Sequence, residues 1–486
     1  MTISQSILSS TPVRASFRDP AGKLLRIEQR IVRIVENSAS PHLAAFLSSK
    51  TAAQFSCSGR LVNSHYVEPD EARRILFALN GHVSDEVPAT VVEHELIPFP
   101  SFPYEWPPEM LAAAGNLTLD IAEGLFEEGL GLKDASPYNV LFRGPRPVFV
   151  DVLSAECRQP DDPTWLPYAQ FVRMFVLPLL VYRFCGVPTS LYLAGRRDGI
   201  EPEEVYRLLS FFDRLRNPAL VHVTLPTWLA KIRDPEDMSI YRRKSLRKHT
   251  EVQFVLRSIF RSLRSSLTSL EPRQSTSRWT DYARSHSYAP GAFEAKRGFV
   301  EKALTDFPAA RVLDAGCNTG FFSAIAARTG SSVVAIDSDA PVVGMLWRNA
   351  LRDGLDILPL VVNMARPSPA VGWRNQEWPS FLERSHNRFD AVLMLALIHH
   401  LTATEGIPVS EIFRMAKDLT RRYLLIEYID PSDPMFKKLV RGRETLFSSL
   451  SRQAFEASAN RFFDIVRSQQ LTPERHLYVM VKRNVH

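Results

Sequence analysis

Apolar positions in the last part of the chain come in short unbroken runs, each separated from the next by a segment with helical spacing. The runs at 311–315, 332–336, 357–362, 388–396 and 422–428 are apolar along most of their length, as strands buried on both faces of a parallel sheet are. Between them, 321–329 and 341–353 carry apolar residues at helical intervals. Runs at 462–467 and 477–482 flank Gln469-Gln470-Leu471-Thr472-Pro473 and read as a closing hairpin that supplies one antiparallel strand. The pattern predicts an α/β unit over 291–486 on a seven-stranded, mostly parallel sheet, with a helix at 293–304 leading into it.

The first half has a different rhythm. Over 17–70, short apolar runs alternate with turn signals such as Asp19-Pro20-Ala21-Gly22 and Ser58-Gly59-Arg60, which predicts a small β-rich lobe. From Pro107 the spacing becomes helical, through Leu111, Leu117, Leu119, Ile121, Ala122 and Leu125, until Gly129 and Gly131 stop it. Further helical segments at 165–185 and 203–215, and the Pro226-Thr227-Trp228-Leu229 stretch, hold aromatics at core-like spacing and predict packing. The Ser-, Thr- and Arg-rich stretch 262–278 is the expected boundary. Residues 1–270 are therefore expected to form an α+β domain, 271–290 a linker, and 291–486 the α/β domain.

Composition narrows the classes. With 486 residues, 45% hydrophobic and 23% charged, the chain has the make-up of a multi-domain globular protein. Cys57, Cys157, Cys185 and Cys317 have neither Cys-x-x-Cys spacing nor His companions, so neither a disulfide framework nor a structural zinc is expected, and no metal is assigned. The start at Met1-Thr2-Ile3-Ser4 lacks a secretion-signal profile, and the apolar segment 171–185 contains Arg173, Pro178 and Arg183, so a core helix and a cytoplasmic location are expected, with no membrane span. A formal charge of +6 does not by itself argue for nucleic acid as a partner. Its most basic segment, 242–284, has 11 Lys or Arg against three acids; a solvated helical linker is favoured over a polyanion-binding face.

Candidate chemistry concentrates at Val312-Leu313-Asp314-Ala315-Gly316-Cys317-Asn318-Thr319-Gly320, followed by Ser332-Val333-Val334-Ala335-Ile336-Asp337. This reads as strand, tight glycine turn, helix start and a second strand ending on an acid, so that two carboxylates face the crevice outside the strand ends. Gly316 and Gly320 are expected to let the backbone approach a ligand, since a Cβ would fill that space. The pattern resembles the class I S-adenosylmethionine-dependent methyltransferase fingerprint, with Asn318 where the commoner form has glycine. The dinucleotide fingerprint Gly-x-Gly-x-x-Gly is the rival, but it normally lacks an acid at the place of Asp314. The methyltransferase resemblance implies a Rossmann-like sheet and S-adenosylmethionine as cofactor. It implies further that Gly316 and Gly320 lie beside the methionine part, Asp314 and Asn318 bind the cofactor with them, Asp337 binds the ribose hydroxyls, and Asn363 and Met364 contact the adenine. Trp279 and Tyr282 stand where relatives carry a cofactor lid; packing on the sheet is the equal alternative.

His399 and His400 follow the fourth parallel strand, on the expected acceptor side. Either could serve as a general base; the plainer reading has one bonding the strand-helix turn and the other packing outward. In the first half, Asp134, Asn139 and Asp151 have the spacing of the catalytic loop and magnesium-binding Asp of the protein-kinase and aminoglycoside-phosphotransferase superfamily, which they resemble. Leu132 replaces the usual His, Val152-Leu153 follows Asp151, no glycine-rich phosphate loop precedes, and Lys50 is the one lysine between Lys23 and Lys133. The resemblance therefore implies a degenerate two-lobed kinase-like domain that binds substrate or acts as scaffold. The overall layout resembles rhizobial host-specific nodulation methyltransferase-like proteins. The expected function is methyl transfer to an O- or N-acceptor, a small molecule or oligosaccharide. The alternatives are a phosphotransferase, or a non-catalytic scaffold whose second domain senses the cofactor.

Overall fold

The computed structural model describes residues 11–12, 18–80, 90–232, 246, 248–272, 291–442, 447 and 450–483. The first half opens with an antiparallel sheet of β1 (Thr11–Pro12), β2 (Gly22–Ile27), β3 (Arg30–Val35), β4 (Ser64–Tyr66) and β5 (Thr90–His94), ordered β1-β2-β3-β5-β4. The Asp19 turn leads into it, its Oδ1 accepting from the Ala21 amide at 2.9 Å. The β-rich expectation for 17–70 left out two eight-residue helices, Ser40–Leu47 and Lys50–Cys57. Two turns carry too few apolar positions to show a period, and Leu43, Phe46 and Phe55 become visible as core only once the sheet lies under them.

A helical lobe follows, centred on the Pro108–Glu127 helix, which is buried on most of its circumference and ends before Gly129 at φ +76°. Beside it, β6 (Leu130–Leu132) pairs with β9 (Ala155–Cys157), and β7 (Val140–Arg143) with β8 (Arg146–Phe149). The Tyr168–Cys185 segment is long and apolar enough to cross a membrane by length and composition; in the fold it is 56% buried, with Phe171, Phe175 and Leu179 fully inside. The basic stretch is not a solvated linker where it is described. His249–Leu270 is an amphipathic helix that buries Leu256, Phe260, Leu263 and Leu267, and its Arg257 and Arg264 pair with Glu127 and Asp120 at 2.9 and 2.8 Å. Ser262 to Leu270 thus belongs to the core of the first half, and 273–278 lies outside the described residues.

The C-terminal strands are β10 (Arg311–Ala315), β11 (Ser332–Asp337), β12 (Ile357–Val361), β13 (Phe389–Met394), β14 (Thr420–Ile429), β15 (Phe463–Thr472) and β16 (Arg475–Lys482). They form one α/β sheet in the order β12-β11-β10-β13-β14-β16-β15, parallel except for β16, which runs against both of its neighbours. The closing turn is at Pro473-Glu474, so Gln469 to Thr472 continue β15 instead of leaving it.

The halves share a core. One cluster of buried apolar side chains runs from Ala21 to Met480 and includes Phe99 and Phe102 together with Leu358, Leu360, Phe381 and Phe389. Inside it Arg384, 4% exposed, pairs with Glu105, 0% exposed, while its guanidinium lies 4.8 Å from the Phe102 ring centre and 5.2 Å from that of Phe99. Tyr138 stacks on Trp378 with centroids 4.4 Å apart, and Trp347 Nε1 donates to the Pro145 carbonyl at 2.8 Å. Removing one member of a buried ion pair strands the other charge, so Glu105→Ala should cost about 3–5 kcal/mol. Urea unfolding of the full chain measures this, and an unchanged midpoint would show that the seam does not depend on the pair.

Candidate functional site

At the carboxyl end of β10 the chain turns through Gly316 (φ +77°), Asn318 (φ +50°) and Gly320 (φ +83°) before the Phe321–Arg328 helix. Asn318 can hold a left-handed conformation because its Oδ1 accepts from the next amide, Thr319 N, at 2.6 Å. The amides of Gly316 and Cys317 both donate to the Ile336 carbonyl, at 2.9 and 3.0 Å, which ties the turn to β11. The reason for glycine is broader than the approach of a ligand. A Cβ on Gly320 would collide with the Leu346 side chain, and one on Gly316 would press on Leu397 Cδ1 at 3.2 Å in a left-handed backbone, so the fold itself disfavours side chains there.

The two acids meet different environments. Asp337, at the end of β11, accepts from the Asn318 amide on Oδ2 at 2.9 Å and from the Asp339 amide on Oδ1 at 3.0 Å. Each oxygen retains a further acceptor position for a ligand hydroxyl. Asp314 is buried, with Ser323 Oγ donating to its Oδ2 at 2.6 Å, and burial pushes its pKa up to about 6 against that bond. It fastens the helix to the strand. Beyond β12, Asn363 Oδ1 accepts from Ala365 N at 2.8 Å, and Met364 is buried in the shared core.

After β13, Ala396 takes φ +59° and the Ile398–Ala403 helix begins. His399 is buried and His400 half-buried, with ring centres 4.1 Å apart, so neither packs outward. Burial drives the His399 pKa well below its ordinary value, with His400, Arg475 and Lys296 adding to the effect; burial also lowers that of His400. His399 Nδ1 has no hydrogen-bond partner among the described residues.

Next to the histidines is an ionic cluster that the sequence reading missed. Lys296 Nζ donates to Glu427 at 2.6 Å, and Arg475 lies 2.8 Å from Asp433 and 3.5 Å from Glu427, with all four side chains at most 5% exposed. The available signal was Lys296 at helical spacing with Phe299, Val300 and Ala303, a cation on an apolar face, which implies a buried counter-charge. Trp279 and Tyr282 lie outside the described residues.

In the first half, Asp134 follows β6, Asn139 precedes β7 and Asp151 follows β8, and the fold brings them together. Burial raises the Asp134 pKa, the Asp151 charge adds to this, and Gln170 and Asn139 oppose it. Arg33 of β3 holds Asp151 at 2.8 Å. Among the described residues no group of three or more His, Cys, Asp or Glu could hold a metal ion.

The family model described as a methyltransferase domain matches residues 288–483, the span that carries the seven-stranded sheet and its glycine turn. The C-terminal half is a methyltransferase domain. Over nearly its whole length the chain is similar to the nodulation protein NoeA of Rhizobium meliloti (strain 1021), 28% identical over 475 residues, covering 96% of this chain and 95% of that protein. A methyltransferase dependent on S-adenosylmethionine from Aquifex aeolicus is similar at 17% identity and TM-score 0.30, covering 43% of this chain and 100% of that one. The N-methyltransferase NodS from Bradyrhizobium japonicum WM9 is similar at 11% identity and TM-score 0.30, covering 40% of this chain and 98% of that one. The methyl donor is S-adenosylmethionine, and the residues present fit it: an acid with open acceptor positions at the end of β11 and a left-handed turn whose Gly316 and Gly320 carry no side chain at the end of β10.

Asp314 generates a pH dependence within the methyltransferase domain. Its folded pKa of about 6 exceeds the ordinary 3.8, so between those values the folded state holds a proton that the unfolded state releases, and this group's contribution to stability falls as pH rises. Asp314→Asn has no such term. The stability of wild type relative to Asp314→Asn should therefore decline from pH 4 to pH 6 and then level off, read from urea midpoints at each pH; a constant difference would contradict the buried neutral acid.

Proposed function

We propose that this methyltransferase domain moves the methyl group of S-adenosylmethionine to an oxygen or nitrogen of a small-molecule or oligosaccharide acceptor in bacterial host-specific nodulation. The first half would be a degenerate kinase-like scaffold that helps hold the acceptor. The observation that carries this reading is the common rim: Asp337 and Asn363 stand at the ends of β11 and β12, and His399, His400 and Glu427 at or just beyond the ends of β13 and β14. Donor and acceptor ligands on one edge can be aligned in line, which is most of what this transfer requires. The nodulation context rests on the likeness to NoeA across 96% of the chain.

When bound, the sulfonium supplies an already activated methyl group, so the chain's own residues bind, orient and handle one proton. Asp337 would accept the ribose hydroxyls, Asn363 and Met364 would flank the adenine, and the Asp314 to Gly320 turn would cradle the methionine part. Burial favours the neutral form of both histidines at pH 7, the state in which a ring nitrogen can take a proton from an acceptor hydroxyl or amine. His400, the less buried, is the candidate base, and His399 the candidate orienting group.

The kinase-like reading of the first half is supported by its β1-β2-β3-β5-β4 sheet, the β6–β9 and β7–β8 pairs, and the convergence of Asp134, Asn139 and Asp151. The carboxylate that would hold magnesium is instead engaged by the Arg33 guanidinium. The full chain should therefore show no magnesium-dependent ATP hydrolysis. Turnover that disappears in Asp151→Asn would restore the phosphotransferase reading.

Isothermal titration tests the donor site. Losing a charge-assisted pair of hydrogen bonds costs about 1.5–3 kcal/mol, so Asp337→Ala should weaken S-adenosylmethionine roughly ten- to a hundredfold. Unaltered affinity would remove Asp337 from the site. Transfer of labelled methyl groups into the oligosaccharide fraction of a bacterial extract tests the acceptor class; label confined to protein or nucleic acid would exclude it.

A further inference from the structure

Residues 202–232 bury Val205, Leu209, Ala219 and Val223 in the core but leave a second apolar face outside. Helix Pro202–Leu208 packs against the helical stretch formed by Leu220–Thr224 and Leu225–Ile232, where Trp228 Nε1 donates to the Tyr206 hydroxyl at 3.3 Å. In the second stretch the polar residues point inward: His222, Thr224 and Thr227 are all at most 2% exposed, with His222 Nε2 2.9 Å from Ser266 Oγ and Thr224 Oγ1 donating to the Arg214 carbonyl. Leu225, Trp228, Leu229 and Ile232, at i, i+3, i+4 and i+7, point outward at 43%, 44%, 65% and 83% exposure. A stripe of that period ordinarily faces a core.

The neighbouring short helix, Phe211–Arg214, also leaves apolar side chains outside. Phe211 and Phe212 are 67% and 74% exposed, with edge-on rings 5.8 Å apart, and Leu208 and Leu215 flank them. The expectation that these aromatics pack inside is therefore corrected: spacing reports a shared face but not which way it points. Large apolar side chains exposed together in this way mark an interaction site.

Charge indicates the occupant. Exposed Arg207 and Lys231 border the face and have no carboxylate within ion-pair distance among the described residues, while Arg216 is held by Asp213 at 3.0 Å. Exposed Phe, Leu and Trp on a helical face rimmed by cations match the chemistry of the boundary between headgroups and acyl chains of an anionic bilayer. We propose that this face, centred on Phe212 and Leu229, seats the protein on an anionic membrane surface, inserting apolar side chains while the basic rim meets lipid phosphates.

Flotation of the full chain with phosphatidylcholine vesicles, with and without phosphatidylglycerol, tests this. The protein should float with the anionic vesicles, less so at high salt. Phe212→Ser combined with Leu229→Ser should reduce the bound fraction at least about tenfold while leaving the urea midpoint unchanged. No recovery on anionic vesicles, or equal recovery of the double variant, would overturn the proposal. Self-association in sedimentation velocity that the same substitutions abolish, without vesicle binding, would assign the face to a second copy of the chain and overturn it as well.

Discussion

The buried Glu105–Arg384 pair at the seam sets the terms for the rest of the molecule. Two charges inside an apolar cluster are tolerable only when they meet, and they meet only if the loop before the Pro108–Glu127 helix lies against the Phe381–Ser385 helix that precedes β13. That docking sets Phe99 and Phe102 in one apolar cluster with Leu358 and Leu360 of β12. A second buried acid, Glu109, reaches Arg348 at 2.6 Å, on the helix that follows Asp337. The position of Asp337 thus rests partly on side chains some two hundred residues earlier in the chain.

Along the strand ends, charge is managed in three ways. Asp314 is buried with a hydroxyl donor and tends to keep its proton, so it acts as a structural acid. Asp337 has backbone amides on both oxygens and open acceptor positions, the state suited to a ligand. Lys296, Glu427, Arg475 and Asp433 neutralise one another away from water, which gives the region beside the histidines a fixed field without net charge. The depressed pKa values of His399 and His400 reflect the cost of charging imidazoles in this dry region, and for His399 the nearby cations as well.

The first half handles its polar groups by the same logic. Arg33 satisfies Asp151, and the acid-lined Pro108–Glu127 helix takes up Arg257 and Arg264, so much of a sequence that looks basic is internally paired where it is described. The stripe around Phe212 and Leu229 is the exception, since its apolar side chains are left 43–83% exposed.

The sequence by itself determined the methyltransferase sheet strand by strand, because fully buried strands must be apolar on both faces and each is separated from the next by residues of another period. It also determined the glycine turn with Asp314 and Asp337, because left-handed backbone at Gly316 and Gly320 restricts the residue type locally. Only the tertiary structure decided what depends on distant residues meeting. The Lys296–Glu427 pair joins positions 131 residues apart, the Glu105–Arg384 pair joins positions 279 apart, and no local period records either. The direction of the Phe211 to Ile232 face was equally closed to sequence reading. A helical period establishes that Leu225, Trp228, Leu229 and Ile232 lie together, but burial depends on what the rest of the chain sets against them, and there the fold turns His222, Thr224 and Thr227 inward instead.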